Sequence, residues 1–226
     1  LAHEIKNPLT PIQLTIDRIK NKYLDKVSNN DQENFKENLK IINNQIKQIE
    51  NLVNEFSDFA RMPKPILKEN DLIKILNENI KLLSEIDKTI EINLKKNNDK
   101  ILFNCDKEQI SRVFFNLIKN SVESIQQKAE NSRDFEKNIS IEILYNNDHI
   151  KIILVDNGIG FNQENNLQEI LNPYFTTKKK GTGLGLSIVN KIINDHKGEL
   201  EFIPIIDGAR IEIKFRLNDS RDINSR

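Results

Sequence analysis

The apolar residues of the first sixty positions recur at spacings that leave this part of the chain little choice of fold. Ile5, Leu9, Ile12, Ile16, Ile19 and Tyr23 fall at alternating steps of four and three, and Phe35, Leu39, Ile42, Ile46, Ile49, Val53, Phe56 and Ala60 keep the same rhythm. Such spacing lays an apolar stripe along one side of an α-helix. Two stripes separated by the polar Ser28-Asn29-Asn30-Asp31-Gln32 predict an antiparallel helical hairpin. Leu14, Ile41 and Leu52 widen the stripe beyond what one partner helix covers, so two hairpins are expected to pair into a four-helix bundle, making a homodimer.

With Ala2 and Leu9 at position a of the heptad, His3 falls at b, Glu4 at c and Asn7 at f, all facing away from the seam. A lone exposed histidine is most simply a solvated surface residue. Pro8 and Pro11 change the reading, because each removes an N–H inside a helix and frees the carbonyl four residues back, that of Glu4 and that of Asn7. A local bend beside His3 is the expectation.

Met62-Pro63-Lys64-Pro65 stops the second helix and stiffens a short connection. The predicted division is a helical hairpin over residues 1–61, a linker over 62–65, a second domain over 66–218 and a disordered tail over 219–226. In the second domain Leu72, Ile75, Leu76, Ile80 and Leu83 read as an amphipathic helix, followed by β-type runs at 89–94 and 101–105. Asp106 and Gln109 make a capping-box-like start to a helix running to about Ala129. Strand-like runs at 139–145 and 150–155 suggest a hairpin, and a helix opened by Gly185 precedes strands near 199–204 and 209–217. The predicted class is α+β: a helical hairpin followed by an α/β sandwich with helices on one face of a mixed sheet.

Chemistry concentrates in this second domain. Gly181, Gly183 and Gly185, three of the chain's seven glycines, fall within five residues directly before an apolar helical pattern. A glycine turn feeding a helix N-terminus offers unpaired N–H groups to an anion, although on its own such a turn is often only a turn. Upstream, Ile152-Ile153-Leu154-Val155 breaks into Asp156-Asn157-Gly158-Ile159-Gly160, and Asn116 and Asn120 stand four residues apart on one helix face.

These segments in this order resemble the N, G1 and G2 boxes of the Bergerat ATP-binding fold shared by histidine kinases, gyrase-type ATPases, Hsp90 and MutL, with Pro173 to Lys178 resembling the F box. Leu1-Ala2-His3-Glu4-Ile5-Lys6-Asn7-Pro8-Leu9-Thr10 resembles the H box of sensor histidine kinases. Its continuation, Pro11-Ile12-Gln13-Leu14, is most similar to the NtrY-type nitrogen-regulation kinases. The resemblance covers nearly the whole chain.

The resemblance implies ATP and Mg²⁺ as ligands. It gives Asn120 to the Mg²⁺, places Asn116 near the phosphates, and has Asp156 accept the adenine amino group. Gly158, Gly160, Gly181, Gly183, Leu184 and Gly185 shape the nucleotide loops, residues 161–182 form a lid, and Thr177 and Lys178 lie beside the phosphates. His3 becomes the phosphoacceptor, Glu4 its base, and Asn7 the residue that orients water for dephosphorylating a response regulator receiver domain. The implied activity is autophosphorylation of His3 and phosphotransfer to a regulator aspartate. The alternative is an ATP-hydrolysing conformational clamp of the gyrase and Hsp90 kind. Those proteins carry a glutamate at the position of Asn116, and a carboxamide cannot take a proton.

Composition narrows the remaining classes. Lys+Arg and Asp+Glu number 34 each, which disfavours nucleic acid as a partner. The single cysteine, Cys105, excludes an intramolecular disulfide and suits a buried site in a reducing, cytoplasmic setting. No apolar run approaches the length of a membrane span, so no membrane contact is expected here. The chain begins with Leu1, which suggests an excised fragment; the resemblance implies that the longer protein is anchored in the inner membrane with this part in the cytoplasm. His149 and His196 read as structural or surface residues. In the strand turn at Asp207-Gly208-Ala209, the family pattern often has a second glycine.

Overall fold

A computed structural model describes residues 2–28, 30–132, 135–161, 169–176, 178 and 181–217, with the side chains of residues 2–6 outside that description. The side chains of His3 and Glu4, all of Thr177, most of the expected lid and the expected tail therefore lie outside the described residues. The chain divides into two compact units, residues 1–63 with 177–184, and residues 64–176 with 185–226.

In the first unit α1 (Ala2–Tyr23) continues through Pro8 and Pro11, and a short 3-10 turn leads toward α2 (Gln32–Ala60). The reversal is tied by the N–H groups of Asp31 and Gln32 donating to the Ser28 carbonyl at 2.8 and 3.0 Å. Leu9 and Ile16 of α1 pack with Leu39 and Ile46 of α2, flanked by Ile19 and Phe35.

One feature of the predicted seam needs correction. Ile12, Tyr23, Ile42 and Ile49 are 46%, 43%, 45% and 43% exposed, and Ala60 is exposed too. Two helices in contact bury about one row of side chains each, and the apolar stripe here is two rows wide. Leu39, Ile46 and Val53, each a heptad apart, are buried, while Ile42 and Ile49, which alternate with them, stay in solvent beside Ile41 and Leu52.

The second unit begins with β1 (Lys68–Asp71) and α3 (Leu72–Ser84), then β2 (Glu91–Lys96), β3 (Leu102–Cys105) and α4 (Lys107–Asn131). There follow β4 (Asn138–Tyr145), β5 (His149–Asp156), a short 3-10 turn, α5 (Gly185–Asp195), β6 (Gly198–Pro204) and β7 (Ala209–Arg216). Five strands form a sheet in the order β2-β4-β5-β7-β6, parallel between β2 and β4 and antiparallel elsewhere. Alternate residues such as Ile139, Ile141 and Ile143 of β4 and Ile211, Ile213 and Phe215 of β7 are buried. Against the sheet pack α3 at β2, α4 at β4 and α5 at β6. The sequence did not predict β1, and β3 lies outside the main sheet: the two pair antiparallel as a separate two-stranded sheet.

Two polar residues fix where α4 starts. The Asp106 carboxylate accepts from the N–H groups of Glu108 and Gln109, both at 3.1 Å, and with its other oxygen from Ile66 N–H at 2.9 Å. The Asp106 N–H donates to His196 Nε2 at 3.0 Å, and His196 Nδ1 lies 2.8 Å from the Ile192 carbonyl. His196, 8% exposed, is thus a structural link between the end of α5 and the start of α4. Burial raises the Asp106 carboxyl, but the N–H donors of Ile66, Gln109 and Glu108, with His196, outweigh it and leave the carboxyl below its ordinary value. A lowered folded-state carboxyl stabilises the fold above the unfolded carboxylate range, and that contribution is lost as pH falls through the lowered value. Cys105 is fully buried, and desolvation pushes its thiol up to about 11, so it behaves as a small hydrophobe.

Candidate functional site

The site grows from the C-terminal end of β5. An apolar strand carries Asp156 into the interior, where the carboxylate is 3% exposed. A buried carboxylate needs donors, and it finds them on two sides. Ser121 of α4 donates its hydroxyl to Oδ2 at 2.7 Å, and the Gly158 N–H donates to Oδ1 at 3.0 Å. Burial raises the carboxyl above its ordinary value, opposed by the Ser121 hydroxyl, the N–H groups of Gly158 and Ala209, and the charge of Lys128.

The loop after Asp156 lies flat on α4. Ile159 N–H donates to Ser124 Oγ at 3.0 Å, and Lys128 Nζ donates to the Asn157 carbonyl at 2.8 Å. Lys128 also pairs with Asp207 and sits 4.8 Å from the Phe135 ring. A methyl group at Gly158 would lie 2.2 Å from Ser124 Oγ, so only glycine allows this approach. Gly160 rests on the Gly208 carbonyl from the other side.

Gly208 is the position the sequence reading undervalued. Its φ is +104° and a Cβ there would fall 1.8 Å from the Asp156 carbonyl oxygen. Gly208→Ala is expected to lower stability by about 1–3 kcal/mol from backbone strain alone. Because the displaced atom belongs to Asp156, nucleotide binding should weaken together with the melting temperature. Thermal melts with and without ATP check this; unchanged melting and unchanged ligand-induced stabilisation would show that the turn does not support Asp156.

Toward the N-terminal half of α4, Asn116 and Asn120 are both half-buried and one helical turn apart. Asn116 Nδ2 donates to the Arg112 carbonyl at 2.8 Å, which leaves its Oδ1 toward the start of α5: a methyl at Gly185 would be 3.2 Å from that oxygen. The second unit thus brings together Asn116, Asn120, Asp156, Gly158, Gly160 and Gly185. Gly181, Gly183 and Leu184 group with the first unit, as does Lys178, whose carbonyl accepts from Gly181 N–H at 3.2 Å. Asn7 is exposed on α1, as its place on the helical wheel predicts.

Ser121, Ser124 and Lys128 were not singled out from the sequence. Ser124 and Lys128 follow Asn120 at steps of four, and that continuation of a polar face is the signal that could have found them, whereas Ser121 is turned inward. The residues present suit a nucleotide. A buried acceptor sits at one end and two side-chain amides at the other, whose oxygens suit a hard cation. Among the described residues no group of three or more His, Cys, Asp or Glu side chains could hold a metal, so a cation here would rely on amide and phosphate oxygens.

Residues 105–219 match the family of histidine kinase-, DNA gyrase B- and HSP90-like ATPases, and residues 1–65 match the His Kinase A phospho-acceptor domain. The NtrY-like sensor histidine kinase of Rickettsia prowazekii (strain Madrid E) is 36% identical over 220 residues, 97% of this chain and 35% of that protein. The nitrogen regulation protein NtrY of Azorhizobium caulinodans is 34% identical over 227 residues, 96% of this chain and 28% of that protein. The chain therefore spans about a third of the length of these curated relatives. Among solved structures, histidine kinase ThkA, crystallised in complex with response regulator protein TrrA, aligns with a TM-score of 0.67 and 26% identity. That alignment covers 95% of this chain and 59% of that one.

Proposed function

The chain belongs to the sensor histidine kinases, carrying their ATPase module over residues 105–219 and their phospho-acceptor module over 1–65, and from that premise we propose that it is a kinase core that moves the γ-phosphoryl group of ATP to His3. The phosphoryl group then passes to an aspartate of a response regulator receiver domain. The observation that carries this reading is the arrangement on α4, which presents Asn116 and Asn120 one turn apart and holds the buried Asp156 through Ser121.

In this reading Asp156 accepts the exocyclic amino group of adenine, and Gly158 and Gly160 let the loop after it pack closely on Ser124 and the Gly208 turn. Asn116 and Asn120 stand at the phosphate end, with Asn120 holding Mg²⁺ through its amide oxygen. Gly181, Gly183, Leu184 and Gly185 shape the loop beside the phosphates, with Thr177 and Lys178 on the lid. A bound Mg²⁺ would neutralise charge on the triphosphate oxygens and help align them.

His3 supplies the nucleophile. Its neutral imidazole forms an N–P bond as the bond from the γ-phosphorus to the bridging oxygen breaks, and Glu4 accepts the proton of the far ring nitrogen. Phosphoryl transfer needs positioning and charge neutralisation more than covalent help, which suits an exposed acceptor on a helix. Asn7, one turn after His3, orients the water for the reverse reaction on the regulator.

The exposed row of Ile12, Ile42 and Ile49 supports pairing of two hairpins in a homodimer. We assign the hairpin to residues 1–61, the linker to 62–65 and the ATP-binding domain to 66–218. No helix among the described residues is long and apolar enough to cross a membrane. The chain is proposed to act on the cytoplasmic side of a longer, inner-membrane-anchored protein. Asn116 at the place of the water-activating glutamate argues against an ATP-hydrolysing clamp. Incubation with γ-labelled ATP tests the reading. Acid-labile label that disappears in His3→Gln is expected, and steady ATP hydrolysis without phosphoprotein would overturn it.

A further inference from the structure

Ser121 enters the kinase proposal only as a prop for Asp156, yet it is the most completely buried polar side chain in the site, at 1% exposure. Serine is a mediocre helix former whose hydroxyl commonly bonds its own helix carbonyl, four residues back. Here the hydroxyl instead reaches across to Asp156 Oδ2 at 2.7 Å. We propose that Ser121 is a specificity-determining positioning residue: by donating to Asp156 it holds that carboxylate as an acceptor only, so the site takes a purine offering an amino hydrogen and rejects one with a carbonyl oxygen in the same place. This rests on the reading of Asp156 as the adenine contact.

A hydroxyl has a single hydrogen, and Ser121 spends it on Asp156. An ionised carboxylate offers lone pairs and no hydrogen, whereas a protonated one can donate and so can meet the carbonyl of hypoxanthine or guanine. Burial favours the protonated form, and without the serine hydroxyl less opposes it.

Among the described residues, the groups that act on the carboxylate come from three elements. Lys128 comes from α4 with Asp207 paired to it, the Gly158 N–H from the following loop, and the Ala209 N–H from β7. Of these only Ser121 contributes a side-chain hydrogen bond directly to the carboxylate. Removing that hydroxyl should leave the fold in place and shift the balance toward the protonated acid.

The test is the affinity of the full chain for ATP and for inosine triphosphate, measured by calorimetry as a function of pH. Inosine triphosphate carries oxygen where ATP carries the amino group. In Ser121→Ala the fall of ATP affinity toward acid should begin at higher pH than in the unaltered chain, with a loss of about tenfold at the acid end of the range. The preference for ATP over inosine triphosphate should narrow in step, and Ser121→Thr should restore both. In an Asp156→Asn background, Ser121→Ala should change neither the pH profile nor the preference.

The outcomes separate the two ideas. If Asp156→Asn binds ATP as well as the unaltered chain, the adenine contact is misassigned. If Asp156→Asn loses ATP while Ser121→Ala keeps the original pH profile and preference, the role given to Ser121 is overturned. An equal effect of Ser121→Ala in both backgrounds would mean packing alone and would also overturn it.

Discussion

Replacing Asn120 with alanine removes ATP-dependent labelling of His3, by on the order of 10²-fold or more, while the domain stays folded. The expectation follows from where Asn120 sits and from what alanine does there. Asn120 is half-buried in the middle of α4, and alanine is the better helix former, so the helix has no reason to unravel. What disappears is the amide oxygen proposed to meet the Mg²⁺ of Mg-ATP. Asn116 cannot substitute, because its side chain is tethered to the Arg112 carbonyl and its oxygen faces the start of α5. Circular dichroism and a labelling time course together decide the matter. Unchanged labelling in a folded Asn120→Ala would mean that the nucleotide site lies elsewhere.

The second large effect is expected at Glu4. Glu4→Ala should slow phosphohistidine formation by roughly 10²–10⁴-fold with ATP affinity untouched, since its proposed role is to take a proton in the transfer step, whereas the proposed base and Mg²⁺ contacts, Asp156 and Asn120, belong to the other unit. A general base accounts for that separation of rate from affinity. A merely structural Glu4 would instead lower the stability of the hairpin. The measurement is the initial rate of acid-labile label at saturating ATP, beside the ATP dissociation constant. Full-rate labelling in the mutant would remove Glu4 from the chemistry.

Much of this architecture was legible because it depends on periodic burial. The hairpin, α4 with its Asp106 cap and the β4–β5 pair all follow from apolar spacing or from a capping residue, both local signals. β1 was not, because Lys-Glu-Asn-Asp has no apolar alternation and its order comes from a partner more than thirty residues away in β3. The hairpin seam was misjudged for a different reason. A heptad stripe records which residues are apolar and not which of two neighbours covers them, so Leu39 and Ile42 look alike until a second helix is in place.

In the site, the asparagines, Asp156 and the glycines stand out because their residue types are costly in a helix or at a strand end. Ser121, Ser124 and Gly208 acquire meaning only through contacts across the fold, Ser121 with a residue 35 positions later. The four-residue step from Asn120 hints at Ser124, but no local pattern carries that information for Ser121 or Gly208. His196 is similar, since its burial and its bond to Asp106 become visible only when α5 meets the start of α4.

The single helix α4 reaches from the amide pair at Asn116 and Asn120 to the loop anchors Ser121, Ser124 and Lys128. At 1.5 Å per residue, the span from Asn116 to Lys128 is about 18 Å of continuous backbone. The spacing between the amide pair and the residues that anchor Asp156 and its loop is therefore set by hydrogen-bonded helical geometry within one element, while Asp156 itself comes from β5. A substitution that loosens the core beneath α4 moves both ends together as a common-mode displacement. Such a change lowers how much nucleotide is held while leaving the choice of nucleotide intact, so stability and selectivity in this domain can drift independently.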